Sequence, residues 1–156
     1  MYKIIRLNRK HIEHLAQIDL ESKHQMESNL KLSDYKRMLI KRFDEGYELF
    51  FGLKENDILK GYVTLKPFFP GHKHCEVYWL SVKSKFQGQE IGTKLMKFIE
   101  NYAKKNGFRK VCLYTNKVMM KTRGFYEKLG YRLINEFPGY YGYPKNNTAV
   151  LYAKTL

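Results

Sequence analysis

The stretch 75–95, CEVYWLSVKSKFQGQEIGTKL, carries the most chemically suggestive spacing in the chain. An apolar run ends at Val82, a polar loop holds Gln87, Gly88 and Gln89, and an amphipathic segment begins near Ile91. The first N–H groups of a helix have no helical acceptor and lie at the positive end of its dipole, so they make an anion site. Gly88 and Gly92 remove side chains where a phosphate would approach the backbone, and Thr93 adds a hydroxyl donor. The spacing fits neither the P-loop GxxxxGK[ST] nor the dinucleotide fingerprint GxGxxG. A two-glycine turn before a helix is, taken alone, an ordinary turn.

Other chemistry-bearing types are sparser. His72, His74 and Cys75 fall close together but lack a fourth partner, so no metal site is expected. Cys75 and Cys112 lie within strand-like runs and read as small core residues, not acyl carriers. Two cysteines cannot frame a disulfide scaffold.

The elements that must position these residues follow from periodicity. Residues 2–7 read as a strand and 9–22 as a helix with Ile12, Leu15, Ile18 and Asp19 at helical spacing. Ser33 offers an N-cap to a second helix whose stripe is Tyr35, Met38, Leu39 and Phe43. Runs 47–54 and 58–66, bridged by Glu55-Asn56-Asp57, predict a hairpin. A strand over 75–82, a helix over 91–105 stopped by Asn106-Gly107, and a strand over 110–115 follow. A helix near 119–129, a strand over 131–136, a Gly/Pro/Tyr loop and a last strand over 148–154 complete the chain. The order β-α-α-β-β-β-α-β-α-β-β predicts an α/β fold in one continuous domain over 1–156.

Composition bounds the rest. In 156 residues, Lys and Arg exceed Asp and Glu by 14, and 44% of residues are hydrophobic. That apolar share excludes a disordered polycation, and a chain of this length buries about 70% of its unfolded surface. The basic balance suits anionic partners such as nucleotides, phosphorylated cofactors or nucleic acid. No signal-peptide pattern or apolar run of about 18 residues is evident, so the expectation is a cytoplasmic protein without membrane partner.

The loop resembles the Q/R-x-x-G-x-G/A acetyl-CoA loop of the GNAT N-acetyltransferases, with Gln87, Gly92 and Thr93 in register. The segment 123–131, RGFYEKLGY, is similar to that family's Y-x-x-x-G-F/Y element, and the element order resembles the fold from residue 2 onward. The resemblance implies a mixed, mostly antiparallel sheet of about seven strands flanked by about four helices. It implies acetyl-CoA as cosubstrate and acetyl transfer to a primary amine by direct attack in a ternary complex. The amides from Gln87 through Gly88, Gln89, Glu90, Ile91 and Gly92 to Thr93 would hold the pyrophosphate. The strand edge at Leu80, Ser81 and Val82 would bind the pantetheine arm as an added strand does, with the Leu80 amide polarising the thioester. Glu90 departs from the family by replacing the first loop glycine, which costs about 1 kcal/mol if the position needs positive φ.

By the same resemblance Glu76 falls where a base glutamate stands, and Tyr126 where a tyrosine returns a proton to the departing thiolate. A protonated amine of pKa near 10.4 needs roughly 4 to 5 kcal/mol to be free at neutral pH, so a carboxylate has a task. Alternation sets Glu76 with Tyr78, Leu80 and Val82, company expected to raise its pKa. Asn116 falls where relatives contact pantetheine, and Arg123 with Lys121 could reach the 3′-phosphate. Tyr140 and Tyr141 resemble a peptide-clamping tyrosine pair, which slightly favours a protein N-terminus or lysine over a small amine or polyamine as acceptor. The acidic residues Glu13, Asp19, Glu21, Glu27, Asp34, Asp44, Glu45 and Glu48 could nevertheless line a cleft for a cation. Two rivals remain: a regulator of the same fold that binds acyl-CoA without turnover, and a basic nucleic-acid-binding module, for which no helix-turn-helix, RNP or zinc-finger pattern is found. Monomer and homodimer stay open.

Overall fold

A computed structural model describes residues 1–22 and 29–156. Its seven strands and four helices are β1 (Tyr2–Arg6), α1 (Ile12–Ser22), α2 (Leu32–Glu45), β2 (Leu49–Glu55), β3 (Ile58–Pro67), β4 (His74–Val82), α3 (Ile91–Lys105), β5 (Lys110–Asn116), α4 (Met120–Lys128), β6 (Arg132–Phe137) and β7 (Ala149–Thr155). The strand order is β1-β2-β3-β4-β5-β7-β6. The mixed sheet and the element order agree with the sequence reading.

The chain forms two compact units, the first made of Met1–Pro67 and Tyr78–Asn101, the second of Phe68–Val77 and Tyr102–Leu156. In the first, β1, β2 and β3 are antiparallel neighbours. Asn56 and Asp57 both take positive φ, the geometry of a two-residue hairpin turn matched to strand twist. Apolar residues on successive positions of β2 serve opposite faces. Phe50 joins Leu15, Ala16, Ile18, Tyr35, Leu39, Tyr62 and Trp79 in the core under α1 and α2, while Phe51 meets Phe98 of α3 at 5.0 Å. Ile91, Leu95, Met96 and Ile99 make the buried stripe of α3.

Two helix starts differ from expectation. Residues Arg9–His11 wind as a 3-10 turn, because the Asn8 side chain accepts the Lys10 N–H at 3.0 Å and tightens the entry. The α2 helix begins at Leu32 with extended Lys31 as its cap, so Ser33 is already inside the first turn. The cap is made by the Asp34 carboxylate, which accepts the Lys31 N–H at 2.9 Å. A first-turn carboxylate also suits the helix dipole, so Asp34 displaces the serine.

In the second unit the first half of β4 pairs in parallel with β5, from His74↔Lys110 to Val77↔Leu113. Strand β7 lies antiparallel between β5 and β6. Gly130 at φ 93 ends the turn after α4.

Candidate active site

Past Val82 the chain makes a short 3-10 turn, Ser84–Phe86, and a four-residue turn before α3. The Gln87 side chain folds back and donates to the Val82 carbonyl at 3.2 Å, while Gln89 donates to the Lys85 carbonyl at 3.4 Å. The Gln87 main-chain N–H is spent on Ser84 at 3.2 Å, so the expected row of anion-binding amides starts later than Gln87. The Lys94 N–H closes the first helical bond on the Glu90 carbonyl at 2.9 Å. The N–H groups of Ile91, Gly92 and Thr93 are thus the unspent donors of the first turn.

Gly88 at φ 79 and Glu90 at φ 62 turn the chain into this helix. Glu90 therefore does hold the left-handed conformation that glycine adopts freely, and it is exposed. Nothing lies within 4 Å of a side chain added at Gly88, so that glycine answers to its φ alone.

In the second unit Glu76 pairs with Cys112, which puts Tyr114, two residues along β5, on the same face. Tyr114 stacks on Tyr140 at 5.3 Å and 9°, and meets Phe137 at 6.0 Å. Tyr141 turns its edge to Tyr140 at 5.1 Å and stacks on Tyr143 at 5.8 Å. Burial and then the nearby Glu76 charge raise the pKa of both Tyr114 and Tyr140, so both phenols stay protonated near neutrality. Glu76 itself is half-buried. Tyr114 is the residue the sequence reading missed; alternation along β5 from Cys112 was the signal that could have found it.

Asn116 serves the same loop. Its Nδ2 donates to the Asn146 carbonyl at 2.6 Å and its Oδ1 accepts the Val118 N–H at 3.1 Å. The side chain is buried and engaged in holding the loop that carries Tyr140. Arg123 is likewise engaged: Nε donates to Tyr152 Oη at 2.9 Å and NH1 to the Lys117 carbonyl at 2.9 Å. Tyr152 in turn donates to Glu127 at 2.7 Å, so Arg123 ties α4 to β7.

Tyr126 is buried, edge-on to Tyr131 at 5.9 Å, and burial raises its pKa well above the phenol range. Its phenol therefore stays protonated near neutrality. The two cysteines are core residues. Burial, then Cys112, pushes the Cys75 thiol up to about 12, far from the thiolate that acyl chemistry needs.

In the first unit the expected acidic residues do not act alike. Asp19 is 1% exposed and accepts from Tyr62 Oη at 2.6 Å and Trp79 Nε1 at 3.0 Å. Glu48 is sealed by Arg42. Glu13, Asp34, Asp44 and Glu45 are in surface ion pairs with Lys36, Arg37, Arg9 and Lys41, and Glu27 lies outside the described residues. The alternation expected in β4 holds, with Cys75, Val77, Trp79 and Ser81 buried and the residues between them half-buried or exposed. The Tyr78 and Trp79 rings are 6.3 Å apart and both approach the Arg42 guanidinium, at 5.3 and 4.8 Å. The guanidinium is thus attracted to the faces of both rings, one exposed and one buried.

Among the described residues no three His, Cys, Asp or Glu side chains gather as metal ligands, and no helix is long and apolar enough to cross a membrane.

Residues 11–131 match the Acetyltransferase (GNAT) family. Over 86 residues the chain is 33% identical to Probable N-acetyltransferase 14 of Xenopus tropicalis, a match that covers 55% of this chain and 41% of that relative. The fold superposes at a TM-score of 0.85 and 15% identity on a protein assigned to the GNAT acetyltransferases, from Desulfovibrio desulfuricans, covering 99% of both chains. It superposes at 0.79 and 20% identity on the PaiA N-acetyltransferase of Thermoplasma acidophilum in complex with coenzyme A, covering 100% of this chain and 99% of that one. With the β4–loop–α3 order in place and the family match spanning 11–131, well over half of the chain, the chain belongs to the GNAT family, whose enzymes take their acetyl group from acetyl-CoA.

Proposed function

We propose that this protein transfers acetyl from acetyl-CoA to a primary amine at the end or on the side chain of a polypeptide, by direct attack with both reactants bound. The amides of Ile91, Gly92 and Thr93 hold the pyrophosphate, aided by the dipole of α3. Positioning two bound reactants supplies much of the rate, so few catalytic side chains are required. Glu76 takes the ammonium proton, and Tyr126 returns one to the leaving thiolate. Leu80, Ser81 and Val82 carry the pantetheine main-chain contacts.

The observation that carries the acceptor class is Glu76 beside Tyr114, over which Tyr140 stacks. A carboxylate near aromatic rings suits a cationic nitrogen on an otherwise apolar chain. The net charge of +14 repels a compact polycation, whereas a peptide brings one cation at a time. Thiol release from acetyl-CoA is expected with peptides bearing a free amine, and weaker release with spermidine or an aminoglycoside. Faster turnover of spermidine would overturn the acceptor class. Tight coenzyme A binding with no thiol release from any amine would favour a regulator that only binds the thioester.

Glu90→Gly relieves a left-handed non-glycine residue and removes a negative charge beside the phosphate site. A surface charge interaction of about 0.7 kcal/mol is worth roughly threefold in affinity. The KM for acetyl-CoA should fall by about that factor, and an unchanged or higher KM would count against a pyrophosphate at this turn.

A further inference from the structure

The last turn of α1 holds β4 at several points. The Asp19 carboxylate accepts the Trp79 Nε1–H at 3.0 Å and also bonds the Ser81 hydroxyl. The Ser22 and Ser81 hydroxyls are 2.9 Å apart, and Ser84 Oγ donates to the Glu21 carbonyl at 2.6 Å. One helical turn therefore grips the strand from Trp79 to the entry of the α3 loop.

From the neighbouring strand, Gly61 permits the same segment to come close. A Cβ there would lie 2.9 Å from the Ser81 carbonyl oxygen and 3.3 Å from Val82 Cα. Backbone cannot yield to that contact as a flexible side chain would.

Asp19 is a costly way to pack a core. A carboxylate at 1% exposure gives up its hydration, and a well-fitted apolar residue would serve stability as well. What a carboxylate offers is several acceptor sites on one group. Here they collect Tyr62 from β3 and both Trp79 and Ser81 from β4. The two β4 donors flank a single residue, Leu80.

We propose that Asp19 is a positioning residue of the transfer reaction: through Trp79 and Ser81 it fixes the main chain at Leu80, where the thioester is to be aimed. This role rests on the acetyl-transfer reading above. It acts through the strand and not by contact with either reactant. A reacting group misplaced by about 1 Å can cost 10²-fold in rate, so slack in this segment shows in kcat before it shows in cofactor binding.

Three variants separate positioning from stability. Asp19→Asn keeps the shape but has only one acceptor atom, so it cannot hold Trp79 and Ser81 as before. Ser81→Ala deletes one β4 donor with a smaller change, and serves if Asp19→Asn folds poorly. Tyr62→Phe deletes a bond to the same carboxylate from β3 and leaves both β4 donors. With wild-type turnover established first, Asp19→Asn and Ser81→Ala are expected to lower kcat about tenfold, with the acetyl-CoA KM within about twofold. Tyr62→Phe is expected to lower Tm while kcat stays within about twofold. Folded Ser81→Ala with wild-type kcat overturns the role, as does a Tyr62→Phe loss of kcat equal to that of Ser81→Ala. A wild type inactive with every amine overturns the acetyl-transfer reading itself, a result distinct from equal activity across the variants.

Discussion

Replacing Arg42 by alanine is expected to lower the unfolding free energy by about 3–5 kcal/mol, and Tm by roughly 10 °C for a chain of this size. Arg42 Nε donates to Glu48 Oε1 at 2.8 Å and NH2 to Oε2 at 2.5 Å, a two-pronged pair in the first unit. The two side chains are 9% and 3% exposed, so neither charge has water to fall back on. Burial works against the guanidinium charge. The Glu48 hydrogen bonds and the charges of Glu48 and Asp19 outweigh it, and Arg42 stays ionised. The same group covers the Phe50 and Trp79 rings at 5.1 and 4.8 Å and donates to Thr64.

Alanine removes all of this and strands the Glu48 carboxylate in the core, and that stranded charge dominates the expected loss. Changing both partners at once, Arg42→Met with Glu48→Leu, removes both charges together and is expected to recover most of the stability. Denaturant or thermal unfolding measures both. A single-variant loss under about 1 kcal/mol would mean that the pair behaves as a surface ion pair.

The parts of the site that were legible in the sequence are those where one short segment changes period. The run from Cys75 to Val82 alternates, 91–105 has helical spacing, and the glycines lie in the turn between them. Local chain geometry alone therefore located the turn before α3, and the resemblance to a known loop gave that turn its expected role. Glu90 was also readable as a departure, and its positive φ shows what the departure means physically.

Groups built by convergence of distant segments were not legible. Asp19 has the spacing of an apolar helix position, and nothing near it in sequence reveals that Tyr62, Trp79 and Ser81 meet there. Arg42 and Glu48 look like two of many surface charges until the fold encloses them. Tyr114 looks like core strand, because its ring partner Tyr140 arrives from a loop 26 residues later. Asn116 lies at the end of β5. Its in-chain bonds to Asn146 and Val118 give it a loop-holding task that no local pattern encodes.

Glu76→Gln is expected to lower kcat about 100-fold near pH 7, with the acetyl-CoA KM unchanged. The amide keeps the size of the side chain, and Glu76 is half-buried, so the fold should tolerate it. What it loses is a proton acceptor. Without one, the variant acetylates only the amine molecules that are already neutral in solution. Its kcat/KM should therefore climb about tenfold per pH unit until the acceptor's own pKa, then level off. A plateau near pH 8 identifies an N-terminal amine and one above pH 10 a lysine, so a single profile tests the base and names the acceptor. A second readout is independent of turnover. The Glu76 charge contributes to the raised pKa of Tyr114 and Tyr140, so in the variant both phenols should ionise at lower pH in an absorbance titration. Wild-type kcat in a variant whose tyrosine titration has moved would show that the carboxylate stands beside those rings without serving as the base, and proton removal would then belong to water.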